Sequence, residues 1–108
     1  MKKEYIQKSI TSLKKRIKNN FGKDTEFYLF GSAARGDYKE DSDIDLLILL
    51  SRTVDNSIRE EIFNNAFDVE LEHNVIFGLI VHSKDFWNSE IARVMPIYQN
   101  IKNEGIKV

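Results

Sequence analysis

The chain has 108 residues, 42% of them apolar, which fits one domain closing one core and leaves no room for a second. Its 16 basic and 17 acidic residues nearly cancel to a formal net charge of -1, so nucleic acid, which calls for a broad basic field, is not expected as the primary partner. Cysteine is absent, which excludes disulfides, thiolate zinc sites and cysteine nucleophiles and leaves oxygen or imidazole to hold any metal. The N-terminal stretch MKKEYIQKSITSLKKRIKNN carries charge throughout and lacks the apolar centre of a signal peptide. No later segment has the apolar length of a membrane span, so a cytoplasmic location is expected.

From Tyr5 to Phe21 the residues Ile6, Ile10, Leu13, Ile17 and Phe21 recur at three- and four-residue steps, which predicts a helix with lysines on its other face. Gly22 stands where a C-terminal cap belongs. Residues Thr25 to Phe30, short, β-branched and aromatic, predict a first strand stopped by Gly31. Residues 31–42, GSAARGDYKEDS, read as a polar loop in which Ala33, Ala34 and Arg35 can form a helical turn, with Asp37, Lys39, Glu40 and Asp41 as solvated loop charges. Asp43 to Leu50, DIDLLILL, is apolar on both faces after its first residues and predicts a central strand covered on both sides.

Asn56 or Ser57 can cap a helix running to about His73, with Ile58, Ile62, Phe63, Ala66, Val69 and Leu71 as its apolar stripe. A third strand is predicted from Val75 to His82, and the helical segment before it is long enough for a crossover. Ser83 then caps a short turn, Ser89 opens an amphipathic stretch, Pro96 starts a new helical segment, and Gly105 ends it. The fold class expected is α/β (α+β), a small mixed sheet backed by helices.

The chemistry concentrates in FGSAARGDYKEDSDIDLLILL. Gly31 permits a sharp turn and leaves its amide open to a ligand, and Ser32 adds a hydroxyl donor. Residues two apart in a strand share a face, so Asp43 and Asp45 hold their carboxylates side by side while Ile44 enters the core. Two adjacent carboxylates repel each other unless a cation lies between them. A hard ion such as Mg²⁺ would satisfy both acids together with a phosphate bound at Ser32. Arg35 lies in the same loop and can reach that phosphate. A Gly-Ser pair alone also describes an ordinary turn, and Asp-x-Asp alone an ordinary solvated strand edge. Their combination at the head of an apolar central strand is harder to explain without a ligand.

This segment resembles the signature of the DNA polymerase β-like nucleotidyltransferase superfamily, in its minimal nucleotidyltransferase branch. The similarity extends to the flanking elements and the terminal NIKNEGIKV. The resemblance implies transfer of a nucleoside monophosphate from an NTP, with ATP the expected donor, to an acceptor hydroxyl. Gly31 and Ser32 would hold the triphosphate, Asp43 and Asp45 would bind Mg²⁺ or Mn²⁺, and a small helical HEPN-type protein would be the partner, paired as toxin to this antitoxin. The family also supplies a third carboxylate from the next core strand. Here that strand reads VIFGLIVHS, and Gly78 stands where the acid is expected. Glu70, Glu72 and Asp68 are the nearest substitutes, in a helix where acids ordinarily form the solvated face. A catalytically silent binding module of the same fold is therefore the rival reading. His73, His82, Phe86, Trp87 and Tyr98 read as structural residues.

Overall fold

Strand β2, Ile44–Leu50, dictates the architecture because its apolar residues leave neither face fit for water. In the computed structural model, which describes residues 2–39 and 42–108, Leu46, Leu47, Ile48 and Leu50 are fully buried. Glu40 and Asp41, expected as solvated loop charges, lie outside the described residues. The elements are α1 (Lys2–Phe21), β1 (Glu26–Phe30), α2 (Gly31–Arg35), β2, α3 (Asn56–His73), β3 (Phe77–Ser83), α4 (Lys84–Trp87), α5 (Glu90–Arg93), α6 (Pro96–Glu104) and β4 (Ile106–Lys107). The strands lie in the order β3-β2-β1-β4. β2 runs antiparallel to β1 and parallel to β3, and α3 makes the crossover that a parallel pair requires.

The two faces of β2 are covered by different parts of the chain. Ile44, Leu46, Ile48 and Leu50 join the main core with Ile6, Ile10, Leu13 and Ile17 of α1 and Ile58, Ile62, Ala66 and Val69 of α3. Leu47 and Leu49 join a smaller cluster with Phe30 and with Ile101 of α6. This second cover is made of short pieces. Ser83 and Ser89 cap α4 and α5 by accepting from the amides of Phe86 and Ala92, and Pro96 opens α6. No described helix is long and apolar enough to cross a membrane.

Several expectations shift in detail. The cap of α3 is Asp55, whose side chain accepts from the amide of Ile58 at 2.9 Å, rather than Asn56 or Ser57. Phe63 and Leu71, expected in the apolar stripe of α3, are 47% and 67% exposed, as is Phe67 at 56%. At about 100° per residue they fall on the flank of the helix nearest β3 and beyond it, outside the arc of Ile58, Ile62, Ala66 and Val69. Strand β4 was not anticipated, since two residues paired with Tyr28 and Leu29 carry no periodicity. The outer edge of β3 is partly closed by side chains of α3: Glu70 accepts from the amide of Phe77, and Arg59 donates to the carbonyl of Val81.

Burial sorts the residues of α3 by their energetic weight. Ile62→Ala should cost about 2–5 kcal/mol by leaving a cavity under the sheet, whereas Leu71→Ser should stay within about 0.5 kcal/mol. Urea unfolding of the two variants checks this, and equal losses would contradict the placement of α3.

Candidate active site

Where β1 ends, Gly31 takes φ = 72° and turns the chain into α2. That left-handed conformation strains any residue with a side chain. Space forbids one as well, because a Cβ on Gly31 would meet the carboxylate of Asp45. Asp45 stands opposite Phe30 across the antiparallel pair and opposite Gly78 across the parallel pair. A Cβ on Gly78 would also meet its carboxylate, and would come to 3.8 Å from the Cβ of Asp43. The Asp45 carboxylate therefore lies in a slot floored by two glycines, Gly31 where β1 turns into α2 and Gly78 in β3. Asp43 lies on the same face just before β2, exposed, while Ile44 between them is fully buried in the main core. The period-two placement read from the sequence is thus realised, at the end of the second sheet face that the short C-terminal helices leave open.

Charge is unbalanced in this slot. Burial pushes the Asp45 carboxyl above its ordinary value, Asp43 and Glu104 add to the effect, and Arg35 partly offsets it. Arg35 extends from the end of α2 toward Asp37 at 3.5 Å and Glu104 at 3.3 Å. Ser32, half-buried, accepts through its carbonyl from the amides of Gly36 and Asp37 and so closes the turn. Gly31, Arg35 and Asp43 are brought around Asp45, and Ser32 follows Gly31 in the turn.

Glu70 and Glu72 are not brought to it. The Glu70 carboxylate accepts from the Phe77 amide at 2.7 Å, and Glu72 lies 4.0 Å from Arg16, which also pairs with Asp68 at 2.9 Å. Neither contributes to the charge felt by Asp45, and no three His, Asp or Glu side chains gather to hold a metal among the described residues. His82 packs against Phe86 and Trp87, with ring centroids at 4.7 and 6.0 Å. The residue that sequence reasoning missed is Glu104, 73 positions from the Gly31 amide it accepts from at 3.0 Å. Its only signal was the likeness of the terminal NIKNEGIKV to the family.

Residues 10–108 match the nucleotidyltransferase domain family. A protein of Methanocaldococcus jannaschii, named as a candidate protein adenylyltransferase, is 32% identical over 93% of this chain and 90% of its own. The chain belongs to the nucleotidyltransferase domain family. Its fold is shared with a toxin-antitoxin crystal structure determined with AMP-PNP, at 24% identity and TM-score 0.63, covering 93% of this chain and 69% of the other. A tri-AMPylated Shewanella oneidensis HEPN toxin in complex with an MNT antitoxin also matches, at 21% identity and TM-score 0.56, covering 99% of this chain and 71% of that one.

As a nucleotidyltransferase domain the chain has a donor set that suits a hard divalent cation, two carboxylates on one face with one of them desolvated. The same desolvation has a thermodynamic consequence. A carboxyl whose proton affinity is raised on folding makes the native state bind more protons than the unfolded state. The contribution of Asp45 to stability then falls as pH rises from the ordinary value of 3.8 through the raised one. Asp45→Asn should remove that slope and melt higher than the parent at pH 7 in chelator. Thermal melts between pH 3 and pH 8 test this, and a lower melting temperature for Asp45→Asn at neutral pH would refute it.

Proposed function

We propose that this cytoplasmic domain is a metal-dependent nucleotidyltransferase that transfers the nucleoside monophosphate of ATP to a hydroxyl on a protein acceptor. The observation that carries this reading is the Asp45 carboxylate in its two-glycine slot beside Asp43, next to the Gly-Ser turn. The amide of Gly31 and the hydroxyl of Ser32 hold phosphate oxygens, and Arg35 binds the same chain of phosphates through its planar guanidinium. Asp43 and Asp45 would hold Mg²⁺ or Mn²⁺, which when bound offsets the charge of the phosphates undergoing transfer. The acceptor hydroxyl gives its proton to solvent as its oxygen bonds to the α-phosphorus, the bond from that phosphorus to the oxygen bridging to the β-phosphate breaks, and pyrophosphate leaves. The cover of the second sheet face stops short of this slot, so both substrates reach it from solvent.

Gly78 favours a second reading, the silent module. It faces Asp43 and Asp45 from the neighbouring strand, the position from which a third acid would complete the set and act as a base. Its φ lies outside the left-handed region, so an aspartate fits the backbone there once the Asp45 side chain moves aside. Incubation with α-labelled ATP and Mg²⁺ or Mn²⁺ separates the readings. Label should pass to an acceptor with the parent, be lost with Asp43→Asn, and pass about 10²-fold or more faster with Gly78→Asp. Transfer by Gly78→Asp alone, with nucleotide bound by both, would establish the silent module.

The partner we propose is a small helical protein of HEPN type, serving as the acceptor. Support comes from the HEPN toxin-MNT antitoxin complex that shares the fold, and from the exposed apolar stripe Phe63, Phe67 and Leu71 with Ile76. The stripe flanks a cleft of about 480 Å³ between α3 and β3, whose lining includes Phe67, Phe77 and Leu79. This cleft opens beside the strand that carries Gly78. An apolar patch of this kind marks an interaction surface. Phe67→Asp should weaken association with a genomically adjacent helical partner at least about tenfold while leaving ATP binding unchanged. Undiminished association measured by calorimetry would place the partner elsewhere.

A further inference from the structure

Glu104 reaches the Gly-Ser turn from the far end of the chain. It is the last residue of α6, and Gly105 behind it has no room for a side chain, since a Cβ there would meet the carbonyl of Ile101. The next two residues form β4 against β1. The carboxylate is thus delivered by a tight joint between a helix and a strand, and its side chain is 28% exposed. One of its oxygens accepts from the amide of Gly31 at 3.0 Å and from Nη1 of Arg35 at 3.3 Å, and the other accepts from the same Nη1 at 3.4 Å.

A backbone amide and a guanidinium converging on one anionic group are the donors a phosphate would take. Here an internal carboxylate takes them. We infer that Glu104 is a built-in competitor of the nucleotide's phosphates at the Gly31 amide and Arg35, and that it thereby selects nucleotide whose charge is offset by a divalent cation. The inference rests on the nucleotide-binding reading above. An incoming phosphate must take over both donors, which frees the Glu104 carboxylate. Asp37, Asp45 and Glu104 set three negative charges around one guanidinium, with Asp43 beside Asp45, so a bare triphosphate meets net repulsion in a partly desolvated site. A triphosphate carrying its cation meets much less. Glu104 also keeps Arg35 turned toward the glycine amide, so the donors are in position before any nucleotide arrives.

The test compares the parent with Glu104→Gln and Glu104→Ala, all as the full chain, by calorimetric titration with ATP in chelator, with ATP and Mg²⁺, and with inorganic tripolyphosphate. The glutamine keeps an acceptor for the Gly31 amide and guards against loss of folding in the alanine variant, and thermal melts report on the fold of each. Removing one opposing charge should tighten binding of metal-free ATP and of tripolyphosphate about 3- to 10-fold. Binding with Mg²⁺ should change less, so that the preference for cation-loaded nucleotide narrows. Tightening confined to the variants, with a parent that binds only the Mg²⁺ form, would support the inference most strongly. A merely structural carboxylate would instead give lower melting temperatures with unchanged or weaker binding, which would overturn the inference and leave the nucleotide site standing. Failure of all three proteins to bind any of the ligands would refute the nucleotide site itself, and the inference with it.

Discussion

Strand β2 must be covered on both faces, and the rest of the molecule is arranged around that requirement. Long helices α1 and α3 supply one cover, with an uninterrupted layer of aliphatic side chains from both. The other is assembled from short capped pieces ending in α6. Because side chains alternate along a strand, the face under the thin cover is the one that begins with Asp43 and Asp45. The carboxylates emerge just where that cover runs out. Polar chemistry at the end of an apolar strand is thus a consequence of unequal covering rather than a separate design.

The slot that holds Asp45 depends equally on what is missing. Two glycines, one in each neighbouring strand region, leave their backbones near enough to desolvate the carboxylate without contributing a side chain. Gly31 is required there twice over, by its left-handed φ and by contact. A side chain at Gly78 meets only the movable end of the Asp45 side chain, so the two glycines differ in how much change they tolerate. A carboxylate kept partly from water beside another carboxylate stores electrostatic repulsion in the free protein, which a bound cation would relieve.

Much of this was legible in the chain. The heptad-like spacing of Ile6, Ile10, Leu13 and Ile17 gave α1, and the run DIDLLILL gave a central strand because burial on both faces leaves no other pattern. The GS and DID segments pointed to the candidate site through combined spacing, and Gly78 was expected to face it from the next strand, where it does stand opposite Asp45. Illegible were features that depend on distance across the fold. Phe63 and Leu71 satisfy a loose helical periodicity, yet a helix lying on a sheet buries a narrower arc than that periodicity suggests. Glu104 belongs to an unremarkable polar helix end, and only the docking of α6 brings it to Gly31. Glu70, a plausible substitute ligand by nearness in sequence, is committed to a backbone amide instead.

That commitment shapes how this domain can associate. β3 is an edge strand, and in its parallel pairing with β2 the groups of Phe77 and Val81 point outward, where another chain could add itself strand to strand. Glu70 occupies the first amide and Arg59 the later carbonyl, both from the helix above. An intruding strand would have to break two charge-assisted bonds before gaining its own. Open-ended fibrous growth by strand addition is therefore discouraged at the flank where Phe63, Phe67, Leu71 and Ile76 are exposed, and association there is left to side-chain packing.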